Sequence, residues 1–282
     1  ANAVFVQNDF LINDSYVRSM KDIYKATVQN VDFSDPSSIN SIINKWASRA
    51  TDNRIKQILS PQPYSDLVVL LANALSFTAK WENRFDAKDT RKEDFHNADG
   101  TTASVDMMNM TETLYAGEGS NFRVLSMPYK NYAFEMVVVL PKQGTSIHEV
   151  LDNLNPKTWL SDANMHEYEV TVKMPKFTFE YDFLMNDYLR ALGMTDAFIA
   201  NVADFNEMAT GDSLYVSQVD QKTYLAIDEE GTEAHAVTSI ILTKAEPAAP
   251  EPMDFFVDQP FIFFIRERAN GIVLFAGCRS NF

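Results

Sequence analysis

The stretch EEGTEAHAVTS, residues 229–239, combines the features of a buried strand with those of an exposed loop. Alternate residues of a strand face the same side, and here one alternate set is small or apolar. That set is Thr232, Ala234, Ala236, Thr238 and Ile240. The chain then continues as IILTKAEPAAPEP, and its proline, alanine and glutamate favour exposed, extended chain. The stretch is therefore able to enter a sheet without being required to lie in one.

The composition is that of a globular protein with a strong negative charge. Of 282 residues, 46% are hydrophobic and 22% are charged, which is enough apolar material for a sizeable core. The formal net charge of −15 argues against a nucleic-acid partner or an anionic membrane surface. Apolar runs such as LVVLLANAL have the length of a core strand rather than that of a membrane span. Since Cys278 is the single cysteine, no internal disulfide can form, and we expect a buried or half-buried thiol.

Local patterns predict one continuous α+β domain over residues 1–282. Helices are predicted over 13–25, after the Asp35-Pro36 cap, after the Ser146–Glu149 capping box, and before Gly193. The second of these carries an apolar stripe that consists of Ile39, Ile42, Ile43, Trp46 and Ala50. Strands are predicted in most of the remaining chain, and Asn270-Gly271 predicts a tight hairpin turn.

The sequence carries no recognisable catalytic or metal-binding motif. The histidines His96, His148, His166 and His235 lie far apart, so no metal site is expected. Glu229 and Glu230 are adjacent, and adjacent strand residues point to opposite faces, which makes them a poor acid–base pair. We therefore expect a protein that is not an enzyme and that uses no cofactor.

Two acceptor sequons give a weak preference for secretion. Asn13 begins Asn-Asp-Ser and Asn109 begins Asn-Met-Thr, so both are glycosylation candidates. We expect a secreted, extracellular protein, with an intracellular location as the alternative.

Several longer segments, taken in order along the chain, resemble the serpin family. They are DFSDP, LANALSFTAKWENRF, DMMNM, LSMPYK, VVVLPK, VKMPKFTFE, ALGMTDAF, LYVSQV, AIDEEGTEA and PFIFFIRERANGIVLFAG. The resemblance implies three β-sheets, the largest of them central, with packed helices and an exposed reactive-centre loop at about residues 229–258. It also implies that the chain starts at the second strand of the central sheet. The family's opening helices would then be absent from this chain, and inhibition by this piece alone would be in doubt.

The resemblance assigns roles to particular residues. The hinge of the reactive-centre loop corresponds to Glu229, Glu230, Gly231, Thr232, Glu233, Ala234, His235, Ala236, Val237 and Thr238. Within it, Gly231 provides flexibility, and Glu233 and His235 fall on the outward face. Trp81 corresponds to the tryptophan where the loop first enters the central sheet. Asn73 corresponds to an asparagine in the region that must open, and Gln221 stands where its frequent histidine partner lies.

The scissile bond is less well defined than the hinge. The family's usual spacing from Glu229 leads to Ala245, followed by Glu246, whereas Lys244 would suit a trypsin-like protease better. Counting back from Gln259-Pro260 instead leads to Ala248 or Ala249. The implied partner is a serine protease, trypsin-like for Lys244 or elastase-like for Ala245.

The resemblance implies a monomeric inhibitor that acts as a suicide substrate. In inhibitory serpins the protease forms an acyl-enzyme with the loop, and insertion of the cut loop into the central sheet traps it, which is a known case of strand addition to a sheet. The alternative is a non-inhibitory serpin, a binding, carrier or storage protein whose loop is cut without trapping.

Overall fold

The computed structural model describes residues 1–154, 163–210, 214–232 and 250–282. The chain forms two compact units, one of residues 1–77 and 178–225 and the other of residues 78–177 and 226–282. The helices of the described residues are α1 (Asp14–Asp22), α2 (Pro36–Ser38), α3 (Lys45–Ala50), α4 (Ile147–Asn153) and α5 (Asn186–Ala191). The strands are β1 (Asn2–Gln7), β2 (Leu11–Ile12), β3 (Thr27–Val31), β4 (Val69–Ser76), β5 (Ala79–Lys80), β6 (Arg91–His96), β7 (Thr102–Glu118), β8 (Phe122–Pro128), β9 (Phe134–Pro141), β10 (His166–Pro175), β11 (Phe177–Leu184), β12 (Ala209–Thr210), β13 (Gln218–Ile227), β14 (Gly231–Thr232), β15 (Pro252–Phe256), β16 (Phe261–Glu267) and β17 (Val273–Arg279).

The first unit is built around a five-stranded sheet in the order β11-β13-β4-β1-β3. Its middle strand, β4, pairs parallel with β13 and antiparallel with β1. Alternate residues of β4 enter two different hydrophobic clusters, with Leu70 in one and Val69 in the other. The strand is therefore buried on both faces, as its evenly apolar sequence predicts.

The helical segment over residues 36–50 begins as predicted but turns differently. The Asp35 carboxylate accepts hydrogen bonds from the backbone N–H groups of Ser37 and Ser38, which completes the expected cap. Residues Ile39–Asn44 then form a π-helical turn. The wider turn rotates the residues after it, so that Ala47 is buried and Ala50, predicted to lie in the apolar stripe, is exposed.

Asn44 ties the loop that follows this helical segment to the unit's core. The residue is buried, and its Nδ2 donates to the carbonyl of Leu59 at 2.8 Å. Its Oδ1 accepts from the backbone N–H groups of Ile58 at 2.8 Å and Leu59 at 3.1 Å. One side chain therefore satisfies three buried backbone groups.

The second unit contains an eight-stranded sheet in the order β15-β10-β7-β8-β9-β16-β17, with β6 paired to β7. The 17-residue strand β7 pairs with β6 through residues 102–107, with β10 through residues 107–116 and with β8 through residues 115–118. Strand β7 therefore joins β6 and β10 to the remaining strands of this sheet. Two further sheets have two strands each, β12-β2 and β14-β5.

The C-terminal hairpin corrects two expectations. Strands β16 and β17 pair antiparallel as predicted, but residues 268–272 connect them, so the turn is longer than the tight turn expected at Asn270-Gly271. Cys278 is exposed, whereas a buried or half-buried thiol was expected. The reason is the period of two along β17, which turns Phe275 inward and places Ala276 and Cys278 outward.

We expect Asn44→Ala to destabilise the protein by about 3 kcal/mol, because it leaves buried backbone groups unpaired. Urea unfolding followed by circular dichroism measures the change. Asn40→Ala, in the same helical segment but exposed, is the matched control and should change stability by less than about 0.5 kcal/mol. Equal effects of the two substitutions would show that the Asn44 hydrogen bonds contribute nothing.

Candidate functional site

Gly231 and Thr232, which follow Glu229 and Glu230 in the predicted hinge, lie in the short strand β14. Gly231 pairs with Lys80 and Thr232 with Ala79, so that β14 runs antiparallel to β5. At Gly231 φ is 142°, and a Cβ there would lie 2.3 Å from the carbonyl oxygen of Ala79. Glycine is therefore required at position 231, because the backbone of β14 passes too close to Ala79 for a side chain. The flexible-hinge role of Gly231 stays a prediction.

Trp81 lies directly beside this pair of strands and is buried. Its backbone N–H donates to the carbonyl of Glu230 at 2.9 Å, and its indole Nε1 donates to the carbonyl of Asp228 at 3.0 Å. The indole ring stacks on the ring of Tyr129, with 4.5 Å between centroids and 8° between planes. The structure thus brings Trp81 into contact with residues 228 and 230, and its role at the point where the loop enters the central sheet stays a prediction.

Thr232 is fully buried, and its hydroxyl lies 2.9 Å from that of Tyr129. Burial raises the pKa of the Tyr129 phenol, and the hydrogen bond with Thr232 opposes that rise only in part. Tyr129 therefore stays neutral and can both donate and accept a hydrogen bond. The first small residue of the alternating series is held inside the protein by a stacked aromatic pair.

The carboxylates of Glu229 and Glu230 point to separate cations. Glu229 lies 2.7 Å from Lys176 Nζ and accepts a hydrogen bond from Thr90 Oγ1 at 2.8 Å. Burial acts to raise the pKa of Glu229, but the hydrogen bonds from Lys176 and Thr90 and the charge of Lys176 outweigh it, so that the pKa is lowered. Both oxygens of Glu230 lie 2.9 Å from Arg84 Nη1. Each carboxylate holds the turn before β14 in place, and the two do not form an acid–base pair.

Asn73 and Gln221 lie opposite each other in the five-stranded sheet. They are Cα partners in the direct parallel pairing of β4 with β13, and no strand lies between these two. Asn73 Nδ2 donates to Asn2 Oδ1 at 2.7 Å and to the carbonyl of Ala1 at 3.4 Å. Asn73 and Gln221 are therefore neighbours in the sheet, as expected from the sequence. These side-chain hydrogen bonds of Asn73 go to Ala1 and Asn2 instead of Gln221.

Asp220, next to Gln221 on β13, is a buried carboxyl that sequence reasoning missed. Burial raises its pKa to about 6. A hydrogen bond from Gln218 Nε2 at 2.7 Å and the charge of Lys222 lower it, and the charge of Asp182 raises it. Lys222 is itself paired with Asp182 at 2.9 Å, which leaves the Asp220 charge only partly compensated.

The other end of the loop is also attached to a sheet. Strand β15 pairs parallel with β10, with Pro252 opposite Glu169 and Phe256 opposite Lys173. The remaining predicted loop residues lie outside the described residues. These are Glu233, Ala234, His235, Ala236, Val237, Thr238, Lys244, Ala245 and Glu246, together with the alternatives Ala248 and Ala249.

Both sequon asparagines use their amide groups in hydrogen bonds. Asn13 Nδ2 donates to the carbonyls of Asn206 and Glu207, and Asn109 Nδ2 donates to those of Asp89 and Met107. Glycosylation at these two positions stays a prediction.

The described residues contain neither a metal-binding cluster nor a membrane-spanning helix. No three His, Cys, Asp or Glu side chains come close enough there to hold a metal ion. None of the described helices combines the length and the apolar character needed to cross a bilayer.

Comparison with known proteins adds family information to this geometry. The family described as Serpin (serine protease inhibitor) matches residues 1–281. An uncharacterized serpin-like protein of Thermococcus kodakarensis is 37% identical over 284 residues, which cover 99% of this chain and 65% of that protein. Human glia-derived nexin is 34% identical, with 98% of this chain and 71% of nexin covered. The structure of human thyroxine-binding globulin complexed with thyroxine is similar with a TM-score of 0.88 and 28% identity, covering 100% of this chain and 74% of that one. The chain thus spans about two thirds to three quarters of the length of these relatives.

We expect Asp220→Asn to stabilise the protein at neutral pH. Because the folded state holds the Asp220 proton more tightly than the unfolded state does, the free energy of unfolding falls as the pH rises from about 4 to about 6. The stability difference between variant and wild type should therefore grow over that interval and stay constant above it. Urea unfolding at a series of pH values measures this difference. Asp9→Asn, the same change at an exposed position, is the control, and an equal pH profile for both variants would contradict the assignment.

Proposed function

This chain belongs to the serpin family, and from that premise we propose that it inhibits a serine endopeptidase as a suicide substrate. The observation that carries the proposal is the position of Thr232. This residue is buried and paired with β5 at the start of the predicted loop, while β4 and β13 are paired directly, with no strand between them.

The chemical step uses the loop as a substrate. The hydroxyl oxygen of the protease serine attacks the carbonyl carbon of the scissile residue, and an ester bond forms as the peptide bond breaks. The new amino group takes up the proton and leaves with the C-terminal part of the chain. The protease is then joined to the N-terminal part of the loop, which starts at the hinge.

Insertion of the cut loop supplies the trapping energy. A strand between β4 and β13 would form backbone hydrogen bonds on both edges. At about 0.5–1.5 kcal/mol each, roughly a dozen such bonds give on the order of 10 kcal/mol. This gain requires small, neutral side chains on the inward face, and the alternate residues from Thr232 to Thr238 meet the requirement.

Two residues remain candidates for the scissile position. Lys244 would direct the loop to a trypsin-like protease, and Ala245, followed by Glu246, would direct it to an elastase-like protease. The inhibitor would act as a monomer, and its extracellular location stays a prediction from the sequons.

A second candidate function is binding or carriage without trapping. The similarity to thyroxine-binding globulin, whose structure was determined with thyroxine, favours this alternative. The slim inward face of the hinge favours inhibition, because a loop that never inserts has no need for it.

We expect Ala236→Arg to convert the inhibitor into a substrate, because insertion would bury an unpaired guanidinium. His235→Arg carries the same side chain on the outward face and should leave inhibition intact. SDS gel electrophoresis of the full-length protein mixed with protease measures the fraction of covalent complex. A full yield of complex from Ala236→Arg would refute insertion with Ala236 on the inward face. Loss of the complex in both variants would indicate that these residues contact the protease instead.

We expect loop cleavage to raise the melting temperature, since a strand is added to the five-stranded sheet. The full-length protein is incubated with a trypsin-like or an elastase-like protease. Calorimetry then follows stability, and mass spectrometry of the complex identifies the new C-terminal residue. An unchanged melting temperature after confirmed cleavage would support the non-inhibitory alternative, and a cut after neither Lys244 nor Ala245 would contradict both assignments.

A further inference from the structure

The outer edge of β3 pairs with no other described strand, and two clefts border it. β3 is the last strand of the five-stranded sheet and pairs only with β1 in the described sheet. A cleft of about 510 Å³ is lined by β3 and the helical segment that includes α3, and one of about 540 Å³ is lined by β3 and the end of α1. Thr27 lines both clefts, so that they meet on the strand. An edge of this kind presents unpaired backbone donors and acceptors to a partner.

Four exposed cations border these clefts. Lys45 and Arg49 line the first, and Lys21 and Lys25 line the second. None of the four forms an ion pair with a described residue, and Lys25 Nζ donates to the backbone carbonyl of Asp22. The carboxylate of Asp22 is the only acidic group in the two linings. In a chain of net charge −15, this surface has the opposite sign to the molecule as a whole.

Apolar side chains lie among these cations. Ile23 and Tyr24, at the end of α1, are 70% and 62% exposed. Ile42 and the half-buried Trp46 line the first cleft. Aromatic residues next to cations are typical of protein-binding surfaces, whereas a polyanion needs only the positive charge.

We propose that the β3 edge, together with Lys21, Tyr24, Lys25, Lys45 and Arg49, binds an extended acidic peptide segment of a partner protein. The segment adds as a strand beside β3, with main-chain hydrogen bonds to its open edge. Its side chains on one face repeat at about 7 Å along the strand, so that carboxylates and apolar groups alternate against the cations and the clefts. This surface lies in the first unit, away in sequence from the reactive-centre loop, and the inference is independent of protease inhibition.

The test uses a fluorescein-labelled peptide of ten residues in which pairs of glutamates alternate with pairs of valines, so that each face of the strand carries both types. Anisotropy is measured on the full chain at about 20 and about 200 mM salt. Binding should weaken at the higher salt, and Lys45→Glu and Lys25→Glu should each weaken it about fivefold. Lys56→Glu makes the same charge change at an exposed site outside both clefts and should have no effect.

Two further probes separate the parts of the proposal. The same peptide N-methylated at alternate residues keeps every charge but loses edge hydrogen bonds, and it should bind at least about tenfold more weakly. A lysine–valine peptide should not bind. Equal binding of the methylated peptide, or equal effects of Lys45→Glu and Lys56→Glu, would overturn the proposal. Binding of a sulfated oligosaccharide but not of the acidic peptide would also overturn it in favour of a polyanion site.

Discussion

The hydrogen bond between the hydroxyls of Thr232 and Tyr129 is the contact on which the arrangement of the hinge depends. It fixes the first small residue of the loop inside the protein, under a phenol that is stacked on Trp81. The Trp81 indole in turn holds the carbonyl of Asp228, and Glu229 and Glu230 are tied to Lys176 and Arg84. Residues 229–232, the described part of the segment assigned as the hinge, are therefore held by contacts on three sides.

The contacts around Thr232 favour a strand at the start of the predicted loop, whereas the direct pairing of β4 with β13 opposes insertion of a strand between them. Gly231 and Thr232 already lie in a strand, while β4 and β13 are paired directly with each other. Asp220 adds a partly compensated charge to β13. A sheet that carries such a buried charge on a strand next to β4 is less stable than its hydrogen bonds alone would make it.

Much of the fold could be predicted because it follows from local patterns. Alternation identified the strands, and the Asp35 and Ser146 caps identified two helix starts. The hinge role of Gly231 stays a prediction. The π-turn at Ile39–Asn44 and the exposure of Cys278 were not predicted, since the first is a change of helical period and the second depends on which face of an edge strand is covered. Tyr129, Arg84 and Lys176 were missed as partners of this segment because they lie 103, 146 and 53 residues from Thr232, Glu230 and Glu229, and no local signal joins them. Tyr129 and Lys176 do fall within the quoted segments LSMPYK and VKMPKFTFE, so the family resemblance could have pointed to them.

If the loop inserts as proposed, the pairing of Thr232 with Ala79 determines which residues the inserted strand would face. If the antiparallel step continues, each further loop residue moves one residue back along the chain that leads from β5 to β4. Ala234 then faces Phe77, Ala236 faces Leu75, and Thr238 arrives opposite Asn73. The hydroxyl of Thr238 would then compete with Asn2 for the Asn73 amide, and the exchange of that one partner would mark how far the loop has travelled.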